Sequence, residues 1–381
     1  MLKESKQTFY ALAILVGTIM GLGAFGLPYA FAHAGIGLGM AYLGVMTVVV
    51  LTMHLVYGEI VLRTPAKHRL IGYAEIYLGR PGRIIATHIM IFGIYGGLLA
   101  YTIVGGVFLE VFMQPFVVLP TAVWSMIFFA IMAFYVIRGL KNSAPAELVM
   151  NIVLLAVFVG IIIRALPDVE MANLTLSTDL SQAFLPYGIV FFALAGSAAI
   201  PELRDILEGD GRMKRVIIIG SLIPAILYAL FAFGIAGALG TSVSKDAVIS
   251  LADRYGTAMA IAAGLVGLLT TATSFIVLGL VLKHAYRYDL GISRHKAAFA
   301  VLVVPLALYF FATQDFLKVI GFVGAVLGGI EGLLMLAMYR KAKIMGERTP
   351  EYALMLPAWV YGLIAAMFIA GIGYEIIYTF I

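Results

Sequence analysis

The sequence predicts an all-α polytopic membrane protein of eleven transmembrane helices, and three observations predict it. Hydrophobic residues occupy 63% of the 381 positions and charged ones only 12%, about half the charged share of a soluble domain. The apolar residues form long unbroken stretches; a spanning helix needs about 20 of them, whereas a membrane strand needs only about 10 in alternation. When successive loops are assigned to alternate sides of the bilayer, 21 of the 25 lysines and arginines fall on one side. A missed or surplus span would exchange every later loop and erase that asymmetry.

The spans follow in order: 8–33, 38–62, 84–112, 121–138, 147–165, 183–203, 214–239, 256–283, 297–312, 317–339 and 354–378. The first begins after Lys3 and Lys6 and superficially resembles a signal peptide. It has no convincing small-residue cleavage site and more spans follow, so it is read as a helix. Between spans two and three, residues 64–82 mix charge with Tyr73, Ile76, Tyr77 and Leu78, which suits a short interfacial helix. Between spans seven and eight, residues 241–255 suit a helical lid on the other side. The basic side is read as cytoplasmic, which places the N-terminus inside and the C-terminus outside. One transporter-like domain over 1–381 results, with five-helix halves at 1–165 and 183–339 and an eleventh helix at 354–381. The net charge of +5 reflects this sidedness and not a nucleic-acid surface. With no cysteine in the chain, disulfides, thiolate metal sites and cysteine nucleophiles are excluded.

Two spans are interrupted at corresponding places. Span 1 carries Gly17, Gly21, Gly23 and Gly26 before Pro28, and span 6 carries Ala195, Gly196 and Ser197 before Pro201 and Glu202. Within a helix a glycine costs about 1 kcal/mol and a proline about 3, so both are points of unwinding. They lie about 175 residues apart, each opening a five-helix half. Five is odd, so the second half is inverted relative to the first. Paired Gly/Pro interruptions of this kind point to a transporter binding site, with free N–H groups for an anion and free carbonyls for a cation. The alternative is that the glycines only permit close helix packing.

The run Gly17 to Ala30, the run Phe191-Phe192-Ala193-Leu194-Ala195-Gly196-Ser197 through Pro201-Glu202, and Thr270-Thr271-Ala272-Thr273-Ser274-Phe275 resemble the amino acid/auxin permease family and its bacterial aromatic amino acid permease relatives. The resemblance extends over the chain in span number and order. It implies the leucine-transporter fold of the amino acid–polyamine–organocation superfamily, with five-plus-five inverted repeats, broken helices 1 and 6, and one extra C-terminal helix. It further implies that Gly21, Leu22 and Gly23 present amides to a substrate carboxylate, and that the carbonyls of Ile19, Ala193 or Ala195 face its amino group. Phe192 would cover the ligand. A sodium ion would sit on carbonyls of Gly17, Met20 and Thr270 and hydroxyls of Thr273 and Ser274. The second sodium site of some relatives needs an asparagine where this chain has Ala24, and it is not carried over.

The residues support part of this independently. Sodium is a hard cation served by neutral oxygens, which carbonyls and hydroxyls supply; alternatively, Thr273 and Ser274 each bond a carbonyl one turn back. Ionisable groups inside spans are functional candidates, and Glu331, among glycines in span 10, is the candidate for proton titration or gating, with helix packing as the alternative. Glu59, His54, Glu110 and Glu375 suit structural roles. Tyr101 in span 3 is a candidate for the carboxylate, with Tyr95 as competitor and core packing as the alternative for either. The resemblance adds that some relatives replace the sodium by a lysine in span 5; span 5 here has none, which favours sodium over a proton. The pocket formed by Ile19, Leu22, Phe192, Ala193, Ala195, Ser197 and Ser274 is mostly apolar, which suits a neutral hydrophobic or aromatic amino acid. No cofactor is expected beyond the coupling sodium or proton, and no obligate protein partner. A hydrolase would need a nucleophile with a nearby base, which Ser197 lacks in sequence. A channel fits broken inverted helices less well than alternating access does.

Overall fold

The structure, a computed structural model, describes residues 2–138, 144–174, 182–207, 211–289 and 292–380; Lys141, counted above among the basic-side residues, lies outside them. Fifteen helices are described: α1 Leu2–Ile19, α2 Gly23–Ala34, α3 Ile36–Arg63, α4 Leu70–Met113, α5 Thr121–Arg138, α6 Ala144–Ala165, α7 Leu185–Leu194, α8 Ile200–Leu207, α9 Met213–Leu239, α10 Val248–Tyr255, α11 Thr257–His284, α12 Arg294–Phe311, α13 Phe316–Phe322, α14 Gly329–Met345 and α15 Ala358–Phe380. Among the described residues nine segments are long and apolar enough to cross a membrane, or ten if α1 and α2 form one bent span. Helix α6 lies over the expected fifth span. Large apolar side chains face outward, Val48 and Ile163 at 66% and Phe311 at 89% exposure, an arrangement suited to lipid and not to water. The chain is an integral, multi-pass membrane protein.

Both expected interruptions are present, and glycine and alanine make them. Helices α1 and α2 meet at 51° across residues 20–22. Helix α7 ends at Ala195 in an extended conformation, and a tight 3-10 turn over Ser197–Ala199 precedes α8. The prolines sit elsewhere: Pro28 is inside α2 and Pro201 is in the first turn of α8, where a missing N–H costs nothing. Proline therefore restarts the second of these helices and does not break it.

Other elements refine the sequence reading. The interfacial helix is continuous with span 3 in α4, with a kink at Gly79, whose φ of 68° suits glycine. The segment 241–255 contains a short helix, α10. Asp246 caps it by accepting from the amides of Val248 (2.8 Å) and Ile249 (3.0 Å). Span 10 contains an unexpected π-helical stretch, Val323–Gly328, between α13 and α14.

An aromatic cluster fixes α2. Phe25 lies edge-on to Phe108 of α4 (5.1 Å between centroids), Phe231 of α9 (6.0 Å) and Phe158 of α6 (6.3 Å), and Phe158 stacks on Phe231 at 4.1 Å. Such pairs contribute about 0.5–1.5 kcal/mol each beyond area burial, which anchors the half-helix immediately after the first break.

On the face bearing the basic loops, arginines cap helix ends. Arg204 of α8 donates to the carbonyls of Val61 (2.9 Å), Thr64 (2.8 Å) and Pro65 (2.9 Å), and Arg348 donates to Leu62 (2.7 Å). These carbonyls end α3, where a helix carries its negative pole. Arg212 instead ties the start of α9 to α1, donating to the side chains of Thr8 (Oγ1, 3.0 Å) and Gln7 (Oε1, 3.2 Å). Glu59 is fully buried and accepts from Arg63 (2.8 Å), Lys343 (2.7 Å) and the Leu354 amide (2.6 Å).

Candidate functional site

The two breaks touch. A Cβ built on Gly23 would stand 2.6 Å from Ala193 Cα, and one on Gly196 would stand 2.5 Å from the Ile19 side chain and 3.3 Å from His54 Cε1. Only glycine lets backbone approach backbone this closely. The start of α2 thus lies on the end of α7, and the end of α1 lies on the turn into α8.

Unwinding at 20–22 frees backbone groups, and a residue not singled out in the sequence takes two of them. Tyr228 of α9 is fully buried. Its hydroxyl donates to the Ile19 carbonyl at 2.7 Å and accepts from the Gly21 amide at 3.3 Å. One hydroxyl bridges the break, engaging a carbonyl and an amide expected to serve a substrate's two ends. Nothing in the sequence distinguishes Tyr228 among 20 tyrosines except its place in an apolar span, which its buried hydroxyl could occupy only with a partner. Leu22 and Gly23 are buried; the amides of Ala24 and Phe25 reach back to Gly21 (3.2 Å) and Leu22 (3.1 Å), which opens α2 with tight turns.

At the second break Ala193 is buried, Phe192 is half-buried and Ala195 is exposed. Ser197 donates to Glu331 Oε1 at 2.6 Å. Two separate candidates, 134 residues apart, thereby meet, because the π-helical stretch hands over to α14 just before Glu331. The other side of the break holds His54 of α3. It is 2% exposed and has Ser221 Oγ at 3.0 Å from Nδ1.

The remaining candidates lie on α1, α4 and α11. Tyr101 faces the Ser274 hydroxyl. Tyr95 bonds Tyr286 (2.6 Å) and the Ala300 carbonyl (3.1 Å), among α4, α11's end and α12. Thr273 donates to the carbonyls of Leu269 and Thr270, each at 3.0 Å, so its proton is spent locally while its oxygen lone pairs are not. The Met20 amide bonds the Val16 carbonyl at 2.8 Å, and Gly17 lies in the last turn of α1. Among the described residues no hydrogen bond joins the Gly17–Met20 turn to Thr270, Thr273 or Ser274, and none brings three His, Asp or Glu together at metal distance.

On the face opposite the basic one, Lys245 forms an ion pair with Asp315, the N-cap of α13. Burial pulls the Lys245 ammonium down, but Asp315 outweighs it and holds the group above the usual lysine value. Asp246, next to it, is buried and pushed above the usual carboxylate range by loss of hydration, against the opposing effect of its capping amides.

Comparison with known proteins agrees with a membrane carrier built on this frame. The chain is 24% identical over 360 residues to the tyrosine-specific transport system 1 of Haemophilus influenzae, covering 88% of each chain. It is 26% identical over 244 residues to tyrosine-specific transport system 2 of the same organism, covering 62% of this chain and 59% of that one. It is 20% identical over 343 residues to glutamine transporter 2 of Aliivibrio fischeri, covering 87% of this chain and 88% of that one. These are transporters and not enzymes. Residues 4–373, both breaks included, match one family throughout, and the chain belongs to the tryptophan/tyrosine permease family.

Proposed function

We propose that this protein is a secondary transporter for a neutral aromatic amino acid, driven by cation symport through alternating access. The observation that carries the reading is the contact of two broken helices at matched positions, Gly23 on Ala193, since paired discontinuous helices present dipole ends and free backbone to a substrate in mid-membrane. Family membership and two relatives named for tyrosine support the substrate class, while a third is named for glutamine. The walls Ile19, Leu22, Phe192 and Ala193 suit an apolar side chain. In this reading the amides of Gly21, Leu22 and Gly23 hold the carboxylate, and the carbonyls of Ile19, Ala193 and Ala195 hold the ammonium, with Tyr101 and Ser274 beside them. Tyr228 keeps the first break satisfied when substrate is away. The eleven spans form five-plus-five inverted repeats with one additional helix, and the basic face is cytoplasmic.

Sodium would bind to the carbonyls of Gly17, Met20 and Thr270 and the hydroxyls of Thr273 and Ser274. The bond from Ser197 to Glu331 at 2.6 Å favours a second reading, in which Glu331 takes a proton and couples it to the second break. Uptake of labelled tyrosine, tryptophan and glutamine into proteoliposomes, with sodium and proton gradients imposed separately, tests both. Accumulation of an aromatic amino acid under one gradient is expected. No gradient-dependent uptake of any amino acid overturns the proposal.

A further inference from the structure

One ion pair borders two cavities on the face opposite the basic loops. A cavity of about 450 Å³ lies beside Val104 and Phe316, and one of about 190 Å³ lies beside Phe184, Tyr374 and Tyr378; Lys245 and Asp315 line both. The Lys245 side chain is 48% exposed and that of Asp315 21%. Pairs so open to water add little to stability, so this one can part. Asp315 is held while Lys245 is not: its Oδ1 accepts from the amides of Leu317 (3.1 Å) and Lys318 (3.4 Å), which leaves Oδ2 for the ammonium. The smaller cavity is lined by rings already in stacks, Phe184 on Tyr374 at 4.1 Å and Tyr374 on Tyr378 at 5.9 Å between centroids.

We propose that the Lys245–Asp315 pair is a staging site for a zwitterionic aromatic amino acid on its way to the helix breaks. The α-carboxylate lies on Lys245, the α-ammonium lies on Asp315, and the side-chain ring joins the stack of Phe184, Tyr374 and Tyr378. Insertion replaces one ion pair by two of alternating sign, so charge is conserved locally. Lys318 and Glu375 also line the smaller cavity, one group of each sign, so its lining as a whole matches a zwitterion better than a lone anion or cation. The larger cavity supplies room for Lys245 to swing aside. This inference rests on the amino acid transport reading.

The chain has no cysteine, so Gln314→Cys in the wall of the larger cavity provides a single reporter. Its labelling by a membrane-impermeant maleimide is followed in nanodiscs against tyrosine concentration. Tyrosine is expected to slow labelling saturably, while tyramine, lacking the carboxylate, and the deaminated acid analogue, lacking the ammonium, do not. Lys245→Gln should raise the half-protecting tyrosine concentration by about tenfold or more, as loss of a charged contact implies, and Lys245→Arg should restore it. An unchanged half-protecting concentration in Lys245→Gln overturns the site. So does equal protection by tyramine, and so does a variant in which only ligand-free labelling accelerates, since the pair is then a latch alone. Tyrosine uptake by the same reporter chain in proteoliposomes separates the two levels. Uptake without protection sinks the staging site, whereas absence of uptake sinks the transport reading.

Discussion

Replacing Tyr228 with phenylalanine removes one oxygen and leaves the ring in its buried place. The Ile19 carbonyl then loses a 2.7 Å donor and the Gly21 amide a 3.3 Å acceptor. A buried polar group without a partner costs about 1–3 kcal/mol. Gly21 is only half-buried, so water can reach its amide, and the Ile19 carbonyl dominates. Tyr228→Phe is therefore expected to lose about 1–3 kcal/mol of stability. Substrate at about 100 times its Kd contributes about 2.7 kcal/mol to a wild-type carrier. If substrate uses the vacated groups, its stabilising effect on the variant is larger than on the wild type and offsets most of the loss. Thermal unfolding of the purified protein, with and without saturating tyrosine, measures both quantities. The expected pattern is a lower Tm for Tyr228→Phe without ligand and a larger ligand-induced rise. An unchanged ligand-free Tm would refute the role of the hydroxyl in satisfying the break. A lowered Tm with no extra ligand-induced rise would refute the overlap of Tyr228 with the substrate site.

Gly23→Ala should lower stability and membrane-inserted yield, because its Cβ would meet Ala193 Cα at 2.6 Å, whereas Gly21→Ala, whose nearest new neighbour is 4.0 Å away, should leave both intact; equal Tm and inserted yield of the two variants contradict the contact between breaks. Glu331→Gln should flatten the pH profile of proton-driven uptake while Ser197→Ala shifts it, and a wild-type profile in Glu331→Gln leaves the carboxylate a packing role. At the start of α10, Asp246→Asn keeps a side-chain oxygen for the Val248 and Ile249 amides but removes a charge that burial disfavours. The wild-type carboxyl, with its folded pKa raised, contributes stability at acid pH that is lost as pH rises through that pKa. The variant should accordingly gain on the wild type at neutral pH, and the gain should vanish in acid. Thermal unfolding across pH checks this, and a gain independent of pH refutes the burial argument.

The features legible in the sequence were those set by composition within one segment. Apolar length placed the membrane helices, and the small residues of the runs Gly17–Pro28 and Ala195–Glu202 marked two helices as broken, because hydration and helix propensity act residue by residue along a chain. Ser197 and Glu331 each stand out in the sequence as polar groups in apolar surroundings, yet their bond does not, since no local signal links span 6 to span 10. The π-helical stretch before Glu331 has no local signal either: its glycines permit several helical forms, and close packing on α7, where a Cβ on Gly324 would collide with the Gly188 carbonyl, selects one. Tyr228 is the sharpest case. A tyrosine in an apolar span is ordinary in sequence, and only the tertiary arrangement lays its hydroxyl across the carbonyl of Ile19 and the amide of Gly21. The sequence by itself determined that this chain crosses a membrane repeatedly and where its helices must unwind. The tertiary structure alone decided which side chains answer the unwound backbone, because hydrogen-bond partners are chosen by proximity in space between segments about 200 residues apart.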